Sequence, residues 1–419
     1  MDVLIERCAG IDIGKDEVVA CVRTPGPGGR GRRKLTRTFA SFTAALEEMA
    51  GWFAAEGVTD IAMEATGSYW KPVWYVLEQC PFRLELVNAQ HVKILPGRKS
   101  DVLDAEWLAE LLEHGLLRGS FVPPPVVREL RDLTRYRKRL IQTHTAEGQR
   151  IEKTLEDAGI KLDSVASDLL GVSGRAMLRA LVAGERDPDV LAELARGQLR
   201  RKRPELRQAL RGRFRDHHAT LIRLCLDHLA HLEGAITELD DRIDALFATA
   251  TSEDGVPFAR ARDHLDTITG VGRRAAECIL AEVGTDMSRF PTAAHLASWA
   301  GVCPGNNITG GKRGSGRTTH GDVWLLDILT QCAWAAAHSR DTYLSAQFWR
   351  LARRIGKKKA AIAVGHSILV ICWHLLTDDR DYDDLGGDYF TRRNPDRQRD
   401  RLIAQLTNLG YRVTLDKIA

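Results

Sequence analysis

Residues 9–24, AGIDIGKDEVVACVRT, decide the fold. The stretch alternates around Ile11 and Ile13, breaks at Gly14-Lys15-Asp16, and resumes as the β-rich EVVACV. That pattern reads as a strand, a short turn and a second strand. Asp12 lies inside the first strand and faces away from the side taken by Ile11 and Ile13. A carboxylate in so apolar a setting costs free energy unless it is paired or bound to a metal. Working outward, PGPGGRG (25–31) is a loop or hairpin tip and KLTRTFA (34–40) a third strand. Ser41 is a candidate N-cap for a helix over SFTAALEEMAGWFAAEG. VTDIAMEAT is a short apolar strand ending in Glu64, YWKPVWYVLEQC a helix with proline in its first turn, and FRLELVNA another strand. Strands alternating with helices after an opening hairpin predict an α/β layer with a mixed sheet.

The last element of this layer opens in KSDVLDAEWLAELL (99–112), where Asp101 and Asp104 stand three residues apart on one helical face. Two readings fit. Carboxylates at a helix start offset the macrodipole and bind free N–H groups; paired oxygens also ligate a divalent metal. Strand ends and helix starts of an α/β sheet gather on one edge. Asp12, Glu64, Asp101 and Asp104 would meet there. Alone, Asp104 reads as surface charge and Asp101 as a cap; the four in order within one unit read as a site. Four carboxylates suit two Mg2+ ions about 4 Å apart, the arrangement used for in-line phosphoryl displacement.

The 419 residues allow two or three domains, and 44% apolar with 28% charged residues fit a globular protein. No run of 18 or more apolar residues occurs, so no membrane partner is expected. The N-terminus MDVLIERCAG lacks the long apolar region of a signal peptide. Eight scattered cysteines without a CxxC argue against a zinc ribbon or a disulfide framework and fit a reducing cytoplasm. Net charge is only +4, but RGQLRRKRPELRQALRGRFR (196–215) holds nine basic residues and one acid, and RLARRIGKKK (350–359) six and none. Such blocks are either solvated helix faces or phosphate-binding surfaces. Beside a candidate metal site they point to nucleic acid.

From about Val126 to Ala250 the pattern is helical. Ile222, Cys225, Leu229, Leu232, Ile236, Leu239, Ile243 and Leu246 fall on alternating steps of three and four. The seam suits a bundle helix or a coiled coil, the latter a candidate contact between protomers. LDTITGVGRRAAECILAEVG (265–284) reads as helix, Gly-Val-Gly turn and helix, in which Gly270 and Gly272 would free backbone N–H groups for a phosphate. The glycine-rich stretch 305–321 carries Lys312, Arg313, Arg317 and several hydroxyls, and two helices follow, Val323–His338 and Thr342–Leu376. Four regions are expected: 1–125, 126–255, 256–376 and a tail, 377–419.

Taken together, GIDIGKDEVVACV, MEATGSYW and GRKSDVLDAEWLAELL resemble the N-terminal RuvC-like domain of the DEDD transposases of the insertion-sequence 110 family. ITGVGRRAAECILAEVG, HLASWAGVCPGNN and GKRGSGRTTHGDVWLLDIL resemble that family's C-terminal transposase domain. The resemblance implies an RNase H-like fold holding two Mg2+ ions on Asp12, Glu64, Asp101 and Asp104. It also implies a serine nucleophile three residues before a lysine; here the lysine is Lys312 and Thr309 takes the serine's place. Threonine keeps the hydroxyl, but its methyl group stiffens χ1 and crowds attack. Ser315 is the nearest serine and ranks second. The resemblance further implies DNA strand cleavage and rejoining, guidance by a noncoding bridge RNA, dimers that assemble into tetramers, and a cytoplasmic, nucleoid-associated site of action. Arg98, Lys99, Arg200, Arg201, Lys202, Arg203, Lys312, Arg313, Arg317, Lys357, Lys358 and Lys359 would then contact nucleic-acid backbones. Two other readings stay open: a structure-selective endonuclease with water as nucleophile, and a nucleic-acid-binding relative without strand exchange.

Overall fold

The computed structural model describes residues 2–65, 67–88, 101–252, 255–303, 308–309, 312–313, 318, 321–393 and 395–415. They form two compact units, 1–122 and 123–419. Arg98, Lys99, Ser315 and Arg317 lie outside the described residues.

The first unit is a six-stranded mixed sheet in the order β3-β2-β1-β4-β5-β6. β1 (Cys8–Ile13), β2 (Glu17–Pro25) and β3 (Arg32–Ala40) form an antiparallel meander. β4 (Asp60–Glu64) and β5 (Arg83–Val87) add in parallel, and β6 (Gly119–Ser120) closes the edge antiparallel. The period-2 alternation read from the sequence sorts the two faces. Ala9, Ile11, Ile13, Ile61 and Met63 join the core under α1 (Thr43–Ala55) and α2 (Trp70–Leu77). Cys8 and Ala62 face the other way, onto Leu112 of α3 (Asp101–Glu113). Ser41 is not the cap of α1, whose N-cap is Phe42.

At its far end, α3 is fastened by Glu113. This carboxylate is fully buried and pairs with both Arg23 of β2 and Arg32 of β3. Its backbone oxygen accepts from the N–H groups of Leu4 and Ile5. Two guanidiniums on one buried carboxylate offset a desolvation cost that a lone charge there could not bear.

The second unit is helical. α4 (Pro125–Asp157) opens with Pro125, whose fixed φ suits the first helical position. It pairs with α6 (Asp216–Thr249), and between them sits a small cluster that includes α5 (Val172–Val182). Ion pairs fix the direction of α4 and α6: Glu129–Arg242, Arg137–Asp240, His144–Glu233, Glu147–His228 and Asp157–His218. Partner numbers fall as the first numbers rise, so the two helices are antiparallel. Half of the heptad seam is buried inside the chain: Ile222, Leu229, Leu232 and Ile243, the first two in one core with Ile151 and Leu155 of α4. The other four seam residues, Cys225, Ile236, Leu239 and Leu246, are half-buried.

α7 (Phe258–Asp266), the Gly-Val-Gly turn and α8 (Arg273–Val283) follow as expected. α9 (Ala293–Trp299) leads to a two-residue hairpin, β7 (Ile308–Thr309) with β8 (Lys312–Arg313). α10 (Val323–His338) is capped by Asp322, which accepts from the N–H groups of Trp324 and Leu325 at 2.8 and 3.0 Å. The single helix expected over 342–376 is two, α11 (Tyr343–Ile355) and α12 (Lys357–Asp378). Gly356, with φ of 83°, ends one and starts the other in a conformation a side chain rarely adopts. By length and hydropathy α12 could cross a membrane, a length the sequence reading did not detect. Its Ala361, Val364, Ile368, Leu369 and Cys372 are instead buried in the unit. The tail is strapped to α7 where it begins: His264 contacts Asp379 and Asp381, and Thr269 donates to Asp384 at 3.0 Å.

Arg273 and Arg274 clasp α8 to Asp244 of α6 at 3.0 and 2.8 Å. Burial lifts the Asp244 carboxyl, but Arg274 and Arg273 outweigh it and hold its pKa below the ordinary value. A depressed folded-state pKa gives stability that is present above the unfolded value, about 3.9, and lost as pH falls through the folded one. Asp244→Asn is expected to lower stability at neutral pH and to flatten the acid-side decline. Urea midpoints across that range check this, and an unchanged profile would refute the clasp.

Candidate functional site

One glycine sets the geometry around the four acids. A Cβ built on Gly10 would lie 2.3 Å from the Ala105 oxygen and 2.4 Å from the Ala109 nitrogen. The backbone of α3 thus rests directly on β1, and Cys8 Sγ donates to the Ala109 oxygen at 3.4 Å. Glycine inside a strand is a signal of such close approach, one the sequence reading passed over. α3 runs back along β1, so its first turn stands at the strand's C-terminal end. From Ala105 to Asp101 a helix rises about 6 Å, and from Gly10 to Asp12 a strand advances about 6.6 Å. Asp101, at backbone level, therefore stands over the position of Asp12.

Asp12 and Glu64 share the face turned toward α3. The parallel register pairs Gly10 with Ala62 and Ile11 with Met63, so the next step along it sets Asp12 beside Glu64. Adjacent strands lie about 4.8 Å apart. Both side chains are half-buried, as is Asp104 on α3. Asp12, Glu64 and the opening of α3 thus occupy one edge of one unit. Asp101 is also the first residue of its helix, so the two readings of KSDVLDAEWLAELL are compatible. Hard carboxylate oxygens on a rigid strand pair under a helix start are a donor set of the kind Mg2+ takes.

In the other unit, Thr309 stands opposite Lys312 across the hairpin and Ile308 opposite Arg313. Gly270, with φ of 87°, presses on α10: a Cβ there would meet the Cys332 oxygen and Ala336 nitrogen at 2.6 Å each. Gly272 is exposed at the start of α8, but the adjacent Arg273 and Arg274 are held by Asp244 and Glu277. Lys357, Lys358 and Lys359 are exposed in the first turn of α12, where cations oppose the helix dipole. Arg200 and Arg201 are exposed, and Lys202 Nζ donates to the Val165 oxygen at 3.2 Å. Arg203 pairs with Glu193 at 2.8 Å.

A further group, Asp157, His217 and His218, brings its ligand atoms within 4.8 Å of one another. His218 Nδ1 accepts from the Arg215 N–H at 3.1 Å, which leaves the proton on Nε2, and Nε2 donates to Asp157 Oδ2 at 2.8 Å. Metal at Nε2 would need that proton moved to Nδ1, breaking the cap of α6. The group is a helix fastening.

Gly10→Ala is expected to destabilise the first unit by about 1–3 kcal/mol and to displace α3 from Asp12. Gly51→Ala, in open space on α1, should be neutral or stabilising. Denaturant midpoints of the two variants check this; equal midpoints would show that α3 does not bear on β1 at Gly10.

Residues 9–160 match the family of DEDD transposases of the IS110 type, and residues 262–350 match the family described as Transposase IS116/IS110/IS902. A protein of Sinorhizobium fredii named as a transposase, y4pF/y4sB, is 26% identical over 364 residues, spanning 84% of this chain and 79% of the relative. A mini-circle protein of Streptomyces coelicolor, named as a transposase for IS117, is 30% identical over 173 residues, 36% of this chain and 40% of the relative. The chain carries, in this order, the two transposase domains of the IS110 family.

Proposed function

We propose that the protein is an insertion-sequence transposase that cuts and rejoins DNA at a carboxylate site formed by Asp12, Glu64, Asp101 and Asp104. The observation that carries this reading is the shared edge: two acids from adjacent parallel strands lie under the start of the helix that bears the other two. Two Mg2+ ions held by these acids would supply Lewis-acid stabilisation of the scissile phosphate. The strands fix Asp12 and Glu64, Gly10 sets the height of α3, and the apolar side chains beneath keep the carboxylates from collapsing inward.

Thr309 is the proposed nucleophile. Its Oγ1 bonds to phosphorus as the bond from phosphorus to a deoxyribose oxygen breaks; that oxygen leaves with a proton as the free hydroxyl. The phosphothreonine keeps the bond energy for rejoining to another strand. Lys312, on the facing strand of the hairpin, and Arg313 and Arg317 offset charge on the phosphate. Guidance by a bridge RNA and assembly from dimer to tetramer, with the carboxylates of one protomer serving Thr309 of another, complete the proposal; they rest on the family resemblance.

The test is a cleavage assay on the element's ends with copurified RNA and Mg2+. Asp12→Asn should lower cleavage by at least about 10² while DNA binding persists. Thr309→Ala should abolish the covalent protein–DNA species, and Thr309→Ser should keep or raise it. Normal cleavage by Asp12→Asn removes the metal role. Cleavage without any adduct in the unmodified protein favours the endonuclease reading.

A further inference from the structure

The basic block 196–215 contains committed and uncommitted cations, and among the latter are the exposed Arg211 and Arg213, which stand apart from the turn Gly197–Lys202. Arg203 and Arg207 are committed to Glu193 and Asp189 on the neighbouring helix, at 2.8 and 2.7 Å. Arg215 is the N-cap of α6. Arg196, Arg200 and Arg201 differ. All three are exposed at the 3-10 turn Gly197–Lys202, and none has a carboxylate partner among the described residues. Elsewhere in this unit, arginines that hold helices are neutralised, as Arg135 is by Glu282 and Arg175 by Glu233. Three uncompensated guanidiniums on one short turn repel one another unless a polyanion lies across them.

Beside the turn lies a cleft of about 320 Å³. Arg196 and Gly197 form one wall, and residues 166–168 with the start of α5 form the other. The Arg196 N–H donates to Ser173 Oγ at 2.8 Å, which ties the walls together. Gly171 is the N-cap of α5 and makes no side-chain cap bond, and the Asp168 carboxylate lies against it, 2.7 Å from where a Cβ would stand. The one acid of the lining, Asp168, is exposed, and its Oδ1 accepts from the Leu170 N–H at 3.0 Å. The lining contains no aromatic ring on which a base could stack.

We propose that this turn and cleft bind the phosphodiester backbone of a nucleic-acid strand without reading its bases. The arginine fork matches phosphate oxygens, and the absence of aromatic residues confines the contact to the backbone. The proposal rests on the reading of the protein as a transposase for the presence of nucleic acid, but not on the carboxylate site or on Thr309. It also redraws the set read from sequence. Arg196 joins Arg200 and Arg201, while Arg203 is paired with Glu193.

The experiment uses the full chain, without added metal, and follows fluorescence anisotropy with random-sequence duplex DNA in one arm and single-stranded RNA in the other, from about 50 to 200 mM salt. The variant R196Q/R200Q/R201Q is expected to bind roughly tenfold or more weakly at low salt. Its log–log salt slope should flatten by about 0.9 per lost contact on duplex, or about 0.7 on single strands. The arm that changes identifies the strand. The triple lysine variant should keep most of the slope, since charge is retained. If the triple glutamine variant melts early, R200Q and R201Q singly carry the test. Affinity and slope unchanged in both arms would overturn the proposal. So would an equal loss of binding to poly-glutamate, which would reveal an unselective anion surface. The assay reads binding without metal or cleavage, and the cleavage assay on Asp12→Asn reads the carboxylate site alone, so the two failures are distinguishable.

Discussion

The contact between the backbone of α3 and strand β1 at Gly10 is the constraint on which the first unit depends. Helices usually stand off a sheet by the thickness of their side chains. Here Ala105 and Ala109 on the helix and Gly10 on the strand remove that spacer, and Cys21 and Val19 fill the flank. The result is a helix start held at a fixed height above the C-terminal ends of β1 and β4. At the other end of α3, Glu113 is gripped by Arg23 and Arg32. A helix held by close packing at its middle and by a buried charge cluster at its end has little freedom to rock. That rigidity is what a multi-carboxylate site requires, because ligand geometry must be kept within fractions of an ångström.

The second unit uses charge differently. Its two long helices are laced by acid–base pairs along their length, and α8 is joined to them by Arg131, Arg135 and Glu282. Each exposed pair adds little stability alone. Their order nevertheless favours one register and direction, since a slip would separate these pairs. Trp324, at the start of α10, lies beneath Arg135 and Arg139, so even the aromatic residues there serve to seat cations. At the turn, by contrast, Arg196, Arg200 and Arg201 cluster without a carboxylate partner among the described residues.

The match to two transposase families at residues 9–160 and 262–350 leaves residues 161–261 between them. That interval holds the basic turn, the cleft and all of α6. It also holds the helical cluster between α4 and α6, whose core is built from Leu162, Met177, Leu178, Leu191 and Leu206. The alignment with the Sinorhizobium fredii protein, which spans 84% of this chain, is long enough to include this interval.

The sequence by itself determined the order and type of most elements. Alternation in AGIDIGKDEVVACVRT specified the opening hairpin, because a strand's two faces differ in every second residue. It also set Asp12 opposite Ile11 and Ile13, and the spacing of Asp101 and Asp104 placed both on one helical face. Only tertiary structure decided that Asp12 and Glu64 are neighbours, since β1 and β4 are some fifty residues apart and strand register is a non-local property. It also decided that Ile222 and Leu229 of the heptad seam pack against Ile151 and Leu155, because periodicity says that a stripe is buried but not against what. The sorting of arginines was equally hidden. Arg201 and Arg203 look alike in a basic run, and only the position of Glu193 on a neighbouring helix gives Arg203 a carboxylate partner that Arg201 lacks among the described residues.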